Sequence, residues 1–368
     1  MASIRVLFDT QAFRSQRIGG VSRYYVELIR RLPPLGVEPI LHLPVVDNEH
    51  AAQAGLSSRR AQRLLMAHPN LRRVCSRALA VHDVVRSAVG DYEVFHRTLY
   101  ARPFPVPRPC VCTVVDMIPE VFPQYFPRGN PHQRKRDVVR ASDLVLSISE
   151  STTRDIIAIY GCAPEKIVTI PLGVDAPAFA DPPAGERFHS PFPAPYILFV
   201  GMRLRYKNFQ RFSQAAANVL AGHRDLALAV AGGGPLGESE RAFFARAGVL
   251  ERVVQADIPD ASLSSVYRHA EVFVFPSEYE GFGLPILESF ASGCPVAASR
   301  ASSFPEVGGD AVEYFDPTSA DDIAQAIERV LGSPARAAEL RRKGSERALA
   351  FSWERTARQT AAAYRRLC

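Results

Sequence analysis

The segment PSEYEGFGLPILESFASGCPV, residues 276–296, sets two carboxylates eight positions apart, Glu280 and Glu288, around a glycine-rich turn. An apolar run ends at Phe275 just before it. Pro285 suits the first turn of a helix, because the N–H it lacks would have no intrahelical partner there. Glu288 then lies about one turn inside, roughly 5 Å along the axis. The backbone N–H groups around Phe282, Gly283 and Leu284 point out of such a helix start, which suits an anion such as a diphosphate. Glycines let a ligand approach the backbone closely. Carboxylates accept O–H hydrogen bonds from sugar or ribose hydroxyls. An ordinary strand–loop–helix with solvated glutamates has the same spacing, so spacing alone leaves both readings open.

Arg203, Arg205 and Lys207 follow a second apolar run, where cations would offset the charge that develops on a departing diphosphate. A metal held by a D-x-D motif is the common alternative, and the sequence contains no D-x-D. Fixed cations are therefore expected, with no metal and no cofactor. Gly19 and Gly20 precede a helix expected to begin near Val21 or Ser22, a second possible anion site with a weak signal. AGGGPLGE, residues 231–238, lacks the full G-x-G-x-x-G fingerprint and reads as a loop near a nucleotide base. His96 is expected at a strand end in DYEVFHRTLY, residues 91–100. A single histidine in such a place is as readily a packing residue.

The elements that must position these groups are strands alternating with amphipathic helices, the pattern of parallel α/β sheets. Strands are expected at 4–8, 39–43, 94–96, 110–115, 144–148 and 167–170. A second series is expected at 196–200, 226–230, 252–255, 272–275, 295–298 and 313–315. A Pro-rich, aperiodic stretch separates them, giving a first domain over 1–175, a linker over 176–192 and a second domain over 193–350. Residues 351–368 read as a helix that returns to brace the first domain. Two doubly wound sheets would offer the carboxyl ends of their strands to a cleft between them, where ligands of such folds bind.

The chain has 368 residues, 47% of them hydrophobic and 22% charged, as in an ordinary globular protein. No apolar run approaches the roughly 20 residues needed to span a bilayer, and MASIRVLFDT reads as a buried strand, not a signal peptide. A cytoplasmic location is expected. The six cysteines lack zinc-type spacing and read as reduced thiols. The net charge of +6 arises in the first half, where residues 1–180 hold 23 Lys and Arg against 16 Asp and Glu. No nucleic-acid motif accompanies it. Residues 56–89 carry Arg59, Arg60, Arg63, Arg72, Arg73, Arg77 and Arg86 among apolar residues, with Asp83 as the only acid. That stretch could rest on anionic lipid at the inner face of a membrane, or be a solvated arginine-rich face.

Glu280 and Glu288, with GFGLP between them, resemble the E-x7-E motif of the retaining glycosyltransferases of family 4, which have the GT-B fold. The resemblance extends over nearly the whole chain. It includes FDTQAFRSQRIGGVSRYYVEL at 8–28, LVLSISESTTRDI at 144–156, PEKIVTIPLGVD at 164–175 and VGMRLRYKN at 200–208. TVVDMIPEVFP at 113–123 is similar to a subgroup often assigned to mannose transfer in bacterial polysaccharide assembly. The resemblance implies retaining transfer of a hexose, mannose from GDP-mannose, to a glycan or lipid-linked glycan acceptor. It assigns Glu280 to the sugar, Glu288 to the ribose, and Arg203 and Lys207 to the diphosphate, with Asp116 and His96 beside the reaction. Many members carry a histidine before that aspartate; here the position is Val115. A non-catalytic nucleotide-sugar-binding protein and a GT-B enzyme of other chemistry, such as an epimerase, remain alternatives. A phosphorylase is disfavoured by a chain with only four lysines, since it would need one for pyridoxal phosphate.

Overall fold

The structure is a computed structural model that describes residues 3–43, 46–60, 62, 65, 68–100, 104–106, 108–126, 131–175 and 190–368. The expected linker lies outside the described residues over 176–189, as do Arg63 and Leu64. The chain forms two compact units, Met1–Gly173 with Trp353–Cys368, and Val174–Ser352.

The first unit holds a parallel sheet of β1 (Ile4–Phe8), β2 (Val37–Ile40), β3 (Val94–Arg97), β4 (Cys110–Val114), β5 (Leu144–Ser147) and β6 (Ile167–Thr169). Their order is β2-β1-β3-β4-β5-β6, so the chain reverses direction across the sheet between β1 and β3. Val6 faces Val94 and Phe8 faces His96 in the register. β2 begins two residues before the expected start, because Gly36 closes the preceding turn at φ +74 and fully buried Val37 enters the sheet directly. The β3 and β4 residues are all buried, as a sheet covered on both faces requires.

The terminal helix, Trp353–Arg365, lies on the Gly20–Arg31 helix of this unit. Its apolar stripe of Trp353, Ala357, Ala361 and Tyr364 is buried, the spacing of one helix face. Thr356 Oγ1 donates to the Pro171 carbonyl at 2.7 Å, and Arg31 Nε pairs with Glu354 at 2.7 Å.

The second unit holds β7 (Tyr196–Val200), β8 (Ala227–Ala231), β9 (Val253–Ala256), β10 (Val272–Phe275), β11 (Val296–Ser299) and β12 (Val312–Phe315). Their order is β12-β11-β10-β7-β8-β9, all parallel. That is the doubly wound order of dinucleotide-binding folds, with its reversal between β7 and β10. Ile197, Phe199, Phe212, Val230, Val274 and Ile327 belong to one buried core beneath it. The α/β expectation holds: two six-stranded parallel sheets with helices, among the described residues.

Candidate functional site

In an open α/β sheet a ligand crevice opens where the strand order reverses, outside the carboxyl ends of the strands. In the second unit those ends are Val200 of β7 and Phe275 of β10. The loop after β7 carries Arg203 and Lys207, and the loop after β10 carries Glu280. Topology therefore brings together residues more than seventy positions apart. Lys207 Nζ donates to Glu280 Oε1 at 2.5 Å, and the two side chains are 19% and 12% exposed, a desolvated but reachable ion pair.

Several contacts hold the two loops in place. A short 3-10 turn at Arg205–Lys207 ends on Asn208 at φ +56, a left-handed conformation that asparagine tolerates better than most residues. Asn208 Nδ2 donates to the carbonyls of Pro276 at 3.1 Å and Pro317 at 2.7 Å. The Glu278 N–H donates to the Tyr206 carbonyl at 2.8 Å. On the other side, the Glu280 N–H donates to Ser302 Oγ at 3.0 Å, and Ser303 Oγ donates to the carbonyls of Glu280 and Phe282. Nothing in residue spacing pointed to Ser302 and Ser303. Asn208 was visible only as the end of the VGMRLRYKN stretch.

The helix after this loop spans Leu284–Ala291, with Pro285 in its first turn and Gly283 as its N-cap at φ +104. A Cβ on Gly283 would stand 3.2 Å from the Phe304 ring, so the turn needs glycine for conformation and for space. Phe282 is buried against Phe351, and Leu284 is half-buried. Glu288 is buried on the inner part of the helix, where its Oε2 accepts from Tyr267 Oη at 3.4 Å.

Arg203 is placed differently from a cation aimed only at solvent. Its guanidinium donates to Glu240 Oε1 at 2.9 Å and to the carbonyls of Gly232, Gly234 and Pro235 at 3.2, 3.0 and 2.7 Å. It thereby stitches the glycine loop after β8, whose Gly232, Gly233 and Gly234 all have positive φ. Glu240, which sequence spacing did not single out, also accepts from the Gly237 N–H at 2.7 Å.

In the first unit, Asp9 and Thr98 lie where β1 and β3 end, at that sheet's reversal. Asp9 accepts from the N–H groups of Gln11 and Thr98 and from the Thr98 hydroxyl. Burial and the nearby Asp83 push its carboxyl above the ordinary aspartate value. Asp116 accepts from the Ile118 N–H at 3.0 Å and stands 3.5 Å from Lys135 Nζ. The Lys135 side chain is fully buried and also donates to Glu120 Oε2 and the Asp116 carbonyl, each at 2.8 Å. Val115 donates its N–H to Tyr100 Oη at 3.1 Å. Gly20 opens the Gly20–Arg31 helix, one or two residues before the expected start, and the Gln16 side chain fills the space over Gly19.

His96 requires a correction. Its ring is fully buried, not presented at the strand end. Nδ1 lies 2.6 Å from Tyr364 Oη and Nε2 lies 2.9 Å from Thr113 Oγ1, so both nitrogens are engaged. Phe8, Tyr25 and Tyr364 surround it, and burial lowers its pKa to about 3. His96 is a neutral link between β3, β4 and the terminal helix.

Comparison with known proteins places the chain in a family. Glycosyltransferase Family 4 matches residues 18–177, and Glycosyl transferases group 1 matches residues 186–348. The chain is 27% identical to O-antigen chain mannosyltransferase B of Escherichia coli, over 99% of this chain and 100% of that protein. It is 31% identical to the MMP alpha-(1->4)-mannosyltransferase of Mycolicibacterium hassiacum, over 63% of this chain and 56% of that protein. It is 28% identical to the D-inositol 3-phosphate glycosyltransferase of Kribbella flavida, over 94% and 90%. Among solved structures, Anabaena HepE in complex with UDP and glucose shares the fold, with a TM-score of 0.71 at 16% identity over 99% of this chain and 100% of that one. With both sheets, both family matches and the full-length relative in agreement, the chain belongs to the family 4, group 1 glycosyltransferases of the GT-B fold, and within them resembles the bacterial mannosyltransferases.

Proposed function

We propose that this glycosyltransferase transfers mannose from GDP-mannose, with retention, to a glycan or lipid-linked glycan in surface polysaccharide synthesis. The observation that carries the sugar assignment is the end-to-end likeness to O-antigen chain mannosyltransferase B. The observation that supports the site is the Lys207–Glu280 pair at the reversal of the second sheet. In this reading the second unit holds the donor and the first unit receives the acceptor. Glu280 meets the sugar hydroxyls and stabilises positive charge at the anomeric carbon. Glu288 serves the ribose, and the turn at Phe282, Gly283 and Leu284 faces the diphosphate.

The two cations are parked on internal acceptors, Lys207 on Glu280 and Arg203 on loop carbonyls. A diphosphate offers each a stronger, doubly charged partner. Donor binding then exchanges the Lys207–Glu280 bond for a Lys207–phosphate bond and releases Glu280 toward the sugar. As the glycosidic bond breaks, the ammonium lies where negative charge grows.

The reading also includes peripheral contact with an anionic membrane at the inner face, through the Pro69–Val89 helix. No helix among the described residues is long and apolar enough to cross a membrane. The deciding experiment measures nucleoside diphosphate release from GDP-, UDP-, ADP- and dTDP-sugars, with and without glycan acceptors, and the anomeric configuration of the product. Release is expected with GDP-mannose, with the α configuration kept. Preference for another donor would refute the mannose assignment. Tight binding without turnover on any acceptor would favour the non-catalytic alternative.

A further inference from the structure

A cavity of about 340 Å³ opens in the first unit beside the segment that follows β1. That space is enough for a phosphate or diphosphate group. Arg14, Arg17, Arg72, Arg73 and Arg77 line it, against the one acid Asp47. Arg14 is held by Thr10 Oγ1, the Ser76 carbonyl and Asp83. Arg17 pairs with Glu49 at 2.6 Å, and Arg72 with Asp47 at 3.3 Å. Arg73 and Arg77 are exposed and have no hydrogen bond or ion pair among the described residues. They stand four positions apart on one helix, where like charges repel.

Internal ion pairs account for Arg14, Arg17 and Arg72, and leave the charges of Arg73 and Arg77 without an internal partner among the described residues. The acid of the Pro69–Val89 helix, Asp83, is buried and turned to Thr10 and Arg14. Guanidinium forks converging on a cavity match the tetrahedral oxygens of phosphate. The cavity also lies beside the stretch that leaves the carboxyl end of β1 and leads to Gly19 and Gly20, the side of the sheet where ligands of this fold bind.

We propose that this cavity binds a phosphate or diphosphate group carried by the acceptor. The inference rests on the reading that a glycan acceptor meets the first unit, and it narrows that acceptor to a phosphate-bearing one. Arg73 and Arg77 supply the forks that close on the ligand, while Arg14, fixed by its own partners, supplies a standing charge.

The test is calorimetric titration of inorganic pyrophosphate into the full-length Lys207→Ala protein, which removes a cation of the donor site. Saturable binding is expected. The added pair Arg73→Ala and Arg77→Ala should weaken it by about 10-fold or more, the scale of lost charged hydrogen bonds, with the melting temperature unchanged because both side chains are exposed. Arg73→Lys with Arg77→Lys should restore part of it. Kinetically, in an otherwise wild-type chain, the double alanine variant should raise KM for a phosphate-bearing acceptor and leave kcat and the KM for a phosphate-free acceptor unchanged. Phosphatidylglycerol vesicles provide the other source of phosphate. Vesicle binding that needs these arginines, without pyrophosphate binding, would assign them to lipid headgroups and overturn the proposal. Absence of pyrophosphate binding, or binding indifferent to the double variant, would overturn it as well. A wild-type protein that never turns over a donor would defeat the transferase reading while leaving the titration decisive for the cavity.

Discussion

At the scale of single residues, charge exchange at Lys207 and the neutrality of His96 carry separate consequences. Lys207→Ala should weaken nucleoside diphosphate binding. A lost charged hydrogen bond costs about 1.5–3 kcal/mol, and if Lys207 gives up Glu280 on binding, as the proposed exchange requires, the effect should fall at the lower end, about 10-fold. Glu280→Gln removes the competing carboxylate, so calorimetry should find nucleotide affinity kept or tightened while transfer is lost. Equal weakening by both variants would contradict the exchange. His96 has its folded pKa lowered to about 3 from 6.5 by burial. Between those values the unfolded chain takes up a proton that the folded chain refuses, so this group's stability contribution is present above pH 6.5 and drains away as pH falls toward 3. Each pH unit in that window costs about 1.4 kcal/mol. Denaturant melts of wild type and His96→Gln should differ in slope by about that amount, wild type being steeper. Parallel curves would show that the ring is not held neutral.

At the scale of elements, the start of the Leu284–Ala291 helix depends on one backbone conformation. Gly283→Ala forces a Cβ into the left-handed region at about 1–2 kcal/mol and against Phe304. It should lower stability by at least that amount and weaken nucleoside diphosphate binding. Gly293 has φ +70 and open space around its Cβ position. Gly293→Ala should therefore cost stability alone, and weakened binding in that variant too would remove the special role of the Gly283 turn. The Pro69–Val89 helix exposes Val74, Val81 and Val85 at 62%, 64% and 52%, on one face at spacings of seven and four. Valines that exposed beside arginines suit the interface of anionic lipid. Co-sedimentation is expected with anionic vesicles, weaker in high salt and weaker still for Val81→Asp. Equal partition into neutral vesicles would count against electrostatic docking.

At the scale of the whole molecule, the proposed chemistry runs on fixed cations. Transfer in excess EDTA should stay within a few-fold of the untreated enzyme, because in the proposed reading Lys207 and Arg203 do the work that a D-x-D metal does elsewhere. A collapse of activity that magnesium or manganese restores would show that the diphosphate is neutralised by an ion instead.

Much of this molecule was written in local pattern. Short apolar runs such as VFVF at Val272–Phe275 and CVCTV at Cys110–Val114 declare buried parallel strands, because only a sheet covered on both faces hides every residue. Proline and glycine at positions 285 and 283 mark the helix start by their own covalent limits. The residue types of the candidate site, Glu280, Glu288, Arg203 and Lys207, were singled out by their family likeness, since spacing alone left a solvated loop as an equal reading. Their partnership was not legible. That Lys207 rests on Glu280, that Arg203 is spent on carbonyls of the Gly232–Gly234 turn, and that Ser302 and Ser303 brace the loop follow from strand order, which sets distant loops side by side. His96 shows the limit best. Sequence places it near a strand end, but whether its nitrogens meet a ligand or a neighbour depended on Tyr364, which arrives from 268 residues away on the terminal helix. Hydrogen-bond satisfaction of a buried ring is a property of packing, and only the tertiary structure decides it.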